Sequence, residues 1–181
     1  MLVNNAGFGN YGPFLEADPD VAERQIDVHL TALVRLTRAA LPGMVARKSG
    51  AVINMSSMLA FSGTTVMDRP KRATYAASKA YVNMFTRILA QELAGTGVKV
   101  QALCPGLVRT EFHDRLGGRP PGLPVIEPAD IVRASLAGLG LGEVICAPGL
   151  ADASAIARFV EAEADVLRGV RGAAVAERYG R

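Results

Sequence analysis

Apolar and polar positions along the chain follow two rhythms. Short, nearly continuous apolar runs occur at Leu2-Val3, at Ala51-Val52-Ile53-Asn54-Met55, from Val98 to Cys104, and at Glu143-Val144-Ile145-Cys146. Runs of that length, bounded by turn residues, predict strands buried on both faces. Between them, apolar residues return every three or four positions, the mark of a helix with one buried face. The first helix opens with Asp18 as N-cap, Pro19 at its first position and Asp20 facing the positive end of the dipole. Ile26, Leu30, Leu33, Val34, Leu41 and Met44 carry its apolar stripe, and Pro42 is expected to kink or interrupt it. Arg47 and Lys48 suit its C-terminal end, and Ser49-Gly50 stops it. A second helix begins near Tyr75 and runs to about Leu93, with Ala80, Phe85, Ile88 and Leu89 as apolar positions and Gly95-Thr96-Gly97 as its stop. A third starts at Pro128 and continues to about Gly138. The Ala-rich tail from Ala151, with charges of alternating sign, is expected to be helical.

Strands alternating with helices predict an α/β fold, a parallel sheet with crossover helices on its faces. Residues 1–181 read as a single domain without internal repeats, with 151–181 as a helical C-terminal tail. In such sheets, ligands bind beyond the carboxyl ends of the strands. Asn5-Ala6-Gly7, Ser56-Ser57 and Pro105-Gly106 each follow a strand end, so all three are expected on one edge, within reach of the start of the Tyr75 helix.

That helix start holds the first candidate chemistry. Tyr75 and Lys79 are four apart, hence on one face and one turn apart. A phenol with an ordinary pKa of about 10 is a poor acid near neutral pH, and an adjacent ammonium favours its ionised form. Such a pair can exchange a proton with an alcohol or a ketone. Gly7, Gly9 and Gly12 match the dinucleotide pattern G-x-G-x-x-G in letters only. That motif must open directly into a helix, whereas here Pro13 and further loop residues intervene, and no acidic strand end follows at the required distance.

Composition narrows the classes. The chain has 181 residues, half of them hydrophobic, with a formal charge of +3 spread over scattered arginines. No basic stripe interleaved with aromatics points to nucleic acid. The N-terminal residues lack the pattern of a signal peptide and no run is apolar enough to span a membrane, so a cytoplasmic protein is expected. Cys104 and Cys146 end apolar runs and read as buried free thiols. His29 and His113 are too isolated to form a metal site, and no metal is expected. Residues 68–72, Asp68-Arg69-Pro70-Lys71-Arg72, read as a charged surface excursion.

Taken in order, Asn4-Asn5-Ala6-Gly7, Asn54-x-Ser56-Ser57, Tyr75-x-x-x-Lys79, and Pro105-Gly106 with Thr110 resemble the short-chain dehydrogenase/reductase family. The resemblance runs from Met1 to about Phe112, with weaker similarity into the last strand. It implies a Rossmann-like sheet and an NAD(P)-dependent oxidoreductase that moves hydride between nicotinamide and a secondary alcohol or ketone. It implies that Ser57 hydrogen-bonds the substrate oxygen, with Ser56 as fallback. Tyr75 would exchange the proton, and Lys79 would lower the Tyr75 pKa and hold the nicotinamide ribose. Asn5, Ala6 and Gly7 would lie along the adenosine side of an NAD or NADP cofactor, and Pro105, Gly106 and Thr110 would position the nicotinamide.

Three departures qualify the resemblance. The family's first strands and phosphate-binding loop are lacking, since Met1 falls at what resembles the fourth strand. A truncated sequence or a misplaced start is expected to explain this. His29 stands where the family usually has an Asn that supports a water linked to the lysine. It either takes over that relay or is satisfied within the helix packing. The interval from Ser57 to Tyr75 is longer than usual, and the segment 111–124 would form the substrate lid. The alternative function is a catalytically inactive fragment or interaction subunit that cannot bind cofactor alone. Apolar residues around most of the second helix, including Tyr81, Val82, Phe85 and Ile88, suggest a homo-oligomer formed through the two long helices.

Overall fold

The computed structural model describes residues 1–64, 72–116, 122–172 and 174–180. It divides into two compact units, Met1–Gly149 and Leu150–Arg181. In chain order, the first holds β1 (Leu2–Asn4), α1 (Pro19–Ile26), α2 (Ala32–Ala46), β2 (Gly50–Met55), α3 (Ala73–Glu92), β3 (Val98–Leu103), β4 (Leu107–Val108), β5 (Val125–Ile126), α4 (Pro128–Leu141) and β6 (Ile145–Cys146). The second contains α5 (Ser154–Gly169), where Arg168 spans Glu161 and Asp165 on the solvated face. The charged excursion of the sequence and the middle of the expected lid fall largely outside the described residues; Arg72 lies within them.

The main sheet has the order β1-β2-β3-β6 with every pair parallel, and β4 pairs with β5 in a separate parallel ribbon. Register follows from strands buried on both faces. Val52 sits opposite Leu2 and Val100, while its neighbour Ile53 points to the other face. On one side Val52, Val98 and Val100 pack with Met44 of α2 and Leu89 of α3. On the other, Ile53, Leu103 and Cys146 pack with Ile131 of α4. This is the expected Rossmann-like arrangement, with crossover helices covering both faces. Cys104 and Cys146 are buried free thiols.

Caps work as the sequence predicts at α1, where the Asp18 carboxylate accepts the Asp20 N–H at 2.9 Å. Gly97 is required by geometry. Its φ is +78°, and a Cβ there would stand 2.2 Å from the Lys48 carbonyl oxygen.

The expected break at Pro42 does not occur. The helix runs through Pro42 to Ala46, and Pro42 lies on the exposed side. The irregularity lies earlier, in a π-helical turn over Asp27–Thr31 between α1 and α2. Such turns re-aim side chains and concentrate at functional sites. This one presents His29, which is 2% exposed, to the end of the sheet.

Candidate active site

The carboxyl ends of β1, β2 and β3 open into a cavity of about 430 Å³. Asn5, Gly7, Ser56, Ser57, Tyr75, Lys79, Pro105, Gly106 and Thr110 all line it, so residues scattered over a hundred positions of sequence converge at one edge. Ala6 lies beside it, lining a smaller cavity of about 80 Å³ with Asn5, His29 and Lys79. The size suits a small organic ligand.

Local bonds fix the floor. Ser56 N–H donates to the Leu103 carbonyl at 2.8 Å, and Met58 N–H donates to the Pro105 carbonyl at 2.9 Å, tying the end of β2 to the end of β3. The two serines then part. Ser56 Oγ turns inward and donates to the Lys79 carbonyl at 3.0 Å. Ser57 Oγ accepts the Leu59 N–H at 3.2 Å and stands beside the Tyr75 phenol.

Tyr75 is only 7% exposed. Its ring meets His29 edge-on at 5.6 Å between centroids and Phe112 at 6.1 Å. Lys79 Nζ lies 5.6 Å from the same ring centroid and donates to the Met55 carbonyl at 2.9 Å, which leaves two of its three N–H groups for other acceptors. The i,i+4 pairing of the sequence is therefore present. Its expected electrostatic result is not. Tyr75 is pushed up to about 12 because burial penalises the phenolate more than the neighbours favour it. Ser57 pulls it down, Tyr11 pushes it up, and the cation that lowers it is Arg72. Burial likewise lowers Lys79 to about 8.

His29 closes a chain of bonds behind Tyr75. Its Nε2 accepts the Phe8 N–H at 3.2 Å, and its Nδ1 contacts Ser78 Oγ at 2.8 Å. Ser78 Oγ donates to the Tyr75 carbonyl at 2.7 Å, so Nδ1 carries the proton and donates to Ser78. Burial first, and then the Lys79 charge, hold the imidazole neutral with a pKa of about 3. One turn earlier, Gln25 Nε2 donates to the Phe8 carbonyl at 2.9 Å. Both backbone groups of Phe8 are thus gripped by buried side chains of the first helical segment. Gly7 is needed for this approach, because a Cβ there would stand 2.9 Å from His29 Nε2.

Sequence reasoning passed over the lining residues Tyr11, Leu59 and Ile131, while Phe112 fell within the expected lid and Arg72 within the charged excursion, neither singled out. Arg72 looked like part of a solvated excursion, and Tyr11 lay hidden in a glycine loop. A usable signal existed for Arg72, which stands three residues before Tyr75, at the N-cap of its helix. The glycines of the rejected dinucleotide pattern form a loop followed by a short 3₁₀ turn at Phe14–Glu16, not the start of a long helix. Among the described residues no cluster of His, Cys, Asp and Glu is arranged to hold a metal, and no helix is long and apolar enough to cross a membrane.

The parallel sheet thus gathers a buried Tyr, Lys and Ser around one cavity at its strand ends. Residues 1–119 match the short chain dehydrogenase family model, and the chain belongs to that family. It is 42% identical over 116 residues to oxidoreductase UcpA of Escherichia coli K12, an alignment covering 64% of this chain and 43% of the relative. The chain thus spans less than half the length of such curated relatives. Among solved structures, a short-chain dehydrogenase from Sphingobium yanoikuyae in complex with NADPH superposes with a TM-score of 0.89 at 32% identity, covering 98% of this chain and 68% of the other. The bulky-bulky ketone specific alcohol dehydrogenase from Comamonas testosteroni gives 0.83 at 29% identity, covering 99% and 67%.

Proposed function

We propose that this chain carries the proton-transfer centre of an NAD(P)-dependent oxidoreductase that interconverts a secondary alcohol and a ketone, with Tyr75 as the acid and base. The observation that supports it most is the convergence of Tyr75, Ser57 and Lys79 on one cavity. The donor set suits a dinucleotide. Lys79 has two N–H groups to spare, and Asn5, Gly7 and the exposed Thr110 line the same cavity. Asn5, Ala6 and Gly7 would hold its adenosine side, and Pro105, Gly106 and Thr110 its nicotinamide. The dinucleotide, when bound, supplies the hydride acceptor or donor. The NADPH carried by the Sphingobium relative supports that assignment.

In ketone reduction the carbonyl carbon gains a hydride and its oxygen gains a proton. Tyr75, protonated at neutral pH, is the donor, and Ser57 steadies the charge that builds on the oxygen. In oxidation the phenol must first ionise, so that direction should quicken as pH rises. His29 acts as a positioning residue. With both nitrogens engaged, it braces the Phe8 loop against the Tyr75 backbone and has no nitrogen left to hold a relay water.

The apolar side chains left on the outer side of α3 (Tyr81, Met84 and Ile88, 40–46% exposed) support a homo-oligomer, which sedimentation velocity tests. For the function itself, the purified protein is titrated with NADH and NADPH by fluorescence and then assayed with secondary alcohols and ketones. Binding and turnover support the reading. A folded protein that binds neither dinucleotide overturns it and favours an interaction subunit.

A further inference from the structure

One charged group at the cavity takes no part in proton transfer. Arg72 lines the wall, half-buried, immediately before α3. Its guanidinium lies over the Tyr11 ring, 4.2 Å from the centroid. Stacking on an aromatic face fixes the plane of the fork and leaves its edge N–H groups free to bond. Its Nε is buried and has no hydrogen-bond partner. Among the described residues no carboxylate pairs with it, and none of the residues lining the cavity is Asp or Glu. The first turn of α3 holds no acidic residue either. The Nε of this half-buried guanidinium is a buried donor awaiting an acceptor.

Its position relative to Tyr75 defines that acceptor. Arg72 is the N-cap residue of the helix whose first turn carries Tyr75, both line the one cavity, and the Arg72 charge acts on the Tyr75 phenol. Lys79 follows Tyr75 one turn further along α3, and its Nζ lies close to Gly7. We propose that Arg72 binds the carboxylate of the substrate, and that the alcohol oxidised here is a short 2- or 3-hydroxy acid, the ketone being the matching oxo acid. The carboxylate sits in the Arg72 fork while the hydroxyl, two or three bonds away, reaches Tyr75 and Ser57. Oxidation then moves the carbinol hydrogen as hydride to NAD(P)⁺ and the hydroxyl proton to the Tyr75 phenolate. The proposal rests on the oxidoreductase reading above, and its test separates the two.

Calorimetry with 3-hydroxybutyrate and its methyl ester, with and without dinucleotide, is compared for wild type, Arg72→Gln and Arg72→Lys. Turnover of the same pair and titrations with NADH and NADPH accompany it. The expected result is tighter binding and faster turnover of the acid than of the ester. Arg72→Gln should weaken the acid about 10- to 100-fold, Arg72→Lys should recover part of that, and ester and dinucleotide binding should stay unchanged. Neither variant removes a helix cap bond, since Arg72 makes none. Equal handling of acid and ester, with turnover intact, overturns the Arg72 assignment and leaves the oxidoreductase reading standing. Arg72→Gln weakening the dinucleotide but not the acid also overturns it, because the fork would then serve a cofactor phosphate. Acid binding that depends on Arg72 with no turnover by either dinucleotide supports the anion site and removes the oxidoreductase reading.

Discussion

Two polar clusters lie within the same sheet and helices, and they are built on opposite terms. One runs between the strands and helices of the core. Asn4 Nδ2 donates to Thr37 Oγ1 and Asn54 Oδ1, at 3.0 and 2.8 Å, Asn54 Nδ2 donates to Thr86 Oγ1 at 2.9 Å, and Thr86 donates to the Val82 carbonyl at 2.7 Å. Asn54 and Thr86 are fully buried, and both amide nitrogens meet acceptors, while one acceptor, Asn4 Oδ1, is buried without a donor. The other cluster, at the strand ends, keeps capacity in reserve. Two Lys79 N–H groups, the Tyr75 hydroxyl and the Arg72 fork face a cavity. A largely saturated network specifies packing, whereas an unsaturated one held rigid by burial is arranged for a ligand. Ser56 and Ser57 show the contrast within one dipeptide, the first spent on a backbone carbonyl and the second turned to the phenol.

The largest effect that would break this contrast is at Tyr75. Tyr75→Phe removes one hydroxyl from the unsaturated cluster and should lower kcat by about 10²- to 10⁴-fold with dinucleotide affinity nearly intact, as steady-state kinetics and fluorescence titration will show. Next comes His29. Its folded pKa of about 3 lies below the ordinary value of 6.5, so both states are neutral above pH 6.5. As pH falls from 6.5 towards 3, only the unfolded chain takes up the proton and stability declines, by about 4–5 kcal/mol at the acid limit. Urea denaturation of wild type and His29→Asn at pH 7 and pH 4 measures this, and the variant should lose that part of the acid sensitivity.

Lys79 should act in the opposite sense on stability and on activity. Its pKa drops from 10.5 to about 8, so the fold resists the charged form. That cost is complete below pH 8 and disappears as pH rises through 8 to 10.5. Lys79→Met should therefore raise stability at pH 7 by up to about 3 kcal/mol while abolishing activity, and calorimetric melting with parallel assays reads both. The smallest effect belongs to the saturated cluster. Thr86→Val strands Asn54 Nδ2 and should cost about 1–3 kcal/mol in chemical denaturation with kcat unchanged. A loss of kcat there would erase the distinction between the clusters.

Much of this arrangement was legible in the residues. The spacing of Tyr75 and Lys79 placed them on one face, and the strand ends at Gly7, Ser57 and Gly106 placed them on one edge, because both inferences depend only on local periodicity and sheet topology. The π-helical turn that aims His29 has no composition of its own, while Pro42, a recognised breaker, sits where solvent tolerates it. The sign of the Tyr75 shift was hidden for a different reason. The Tyr75 and Lys79 spacing shows a neighbouring charge, but the burial that outweighs the favourable neighbours comes from packing among His29, Phe112 and Tyr11, far apart in sequence. Nothing local in sequence sets Arg72 apart from a surface charge, because its stacking partner, Tyr11, lies on another loop.

The pH dependence of kcat/KM for oxidation and for reduction, measured in wild type and Tyr75→Phe, bears most directly on Tyr75 as the acid and base. With the phenol near 12 in the free protein and Lys79 keeping its charge below about 8, oxidation should climb from about pH 6 to 7.5 while reduction stays level, and both should collapse in the variant. Oxidation that is flat with pH, or a Tyr75→Phe variant within a few-fold of wild type, would contradict the assignment of proton transfer to Tyr75.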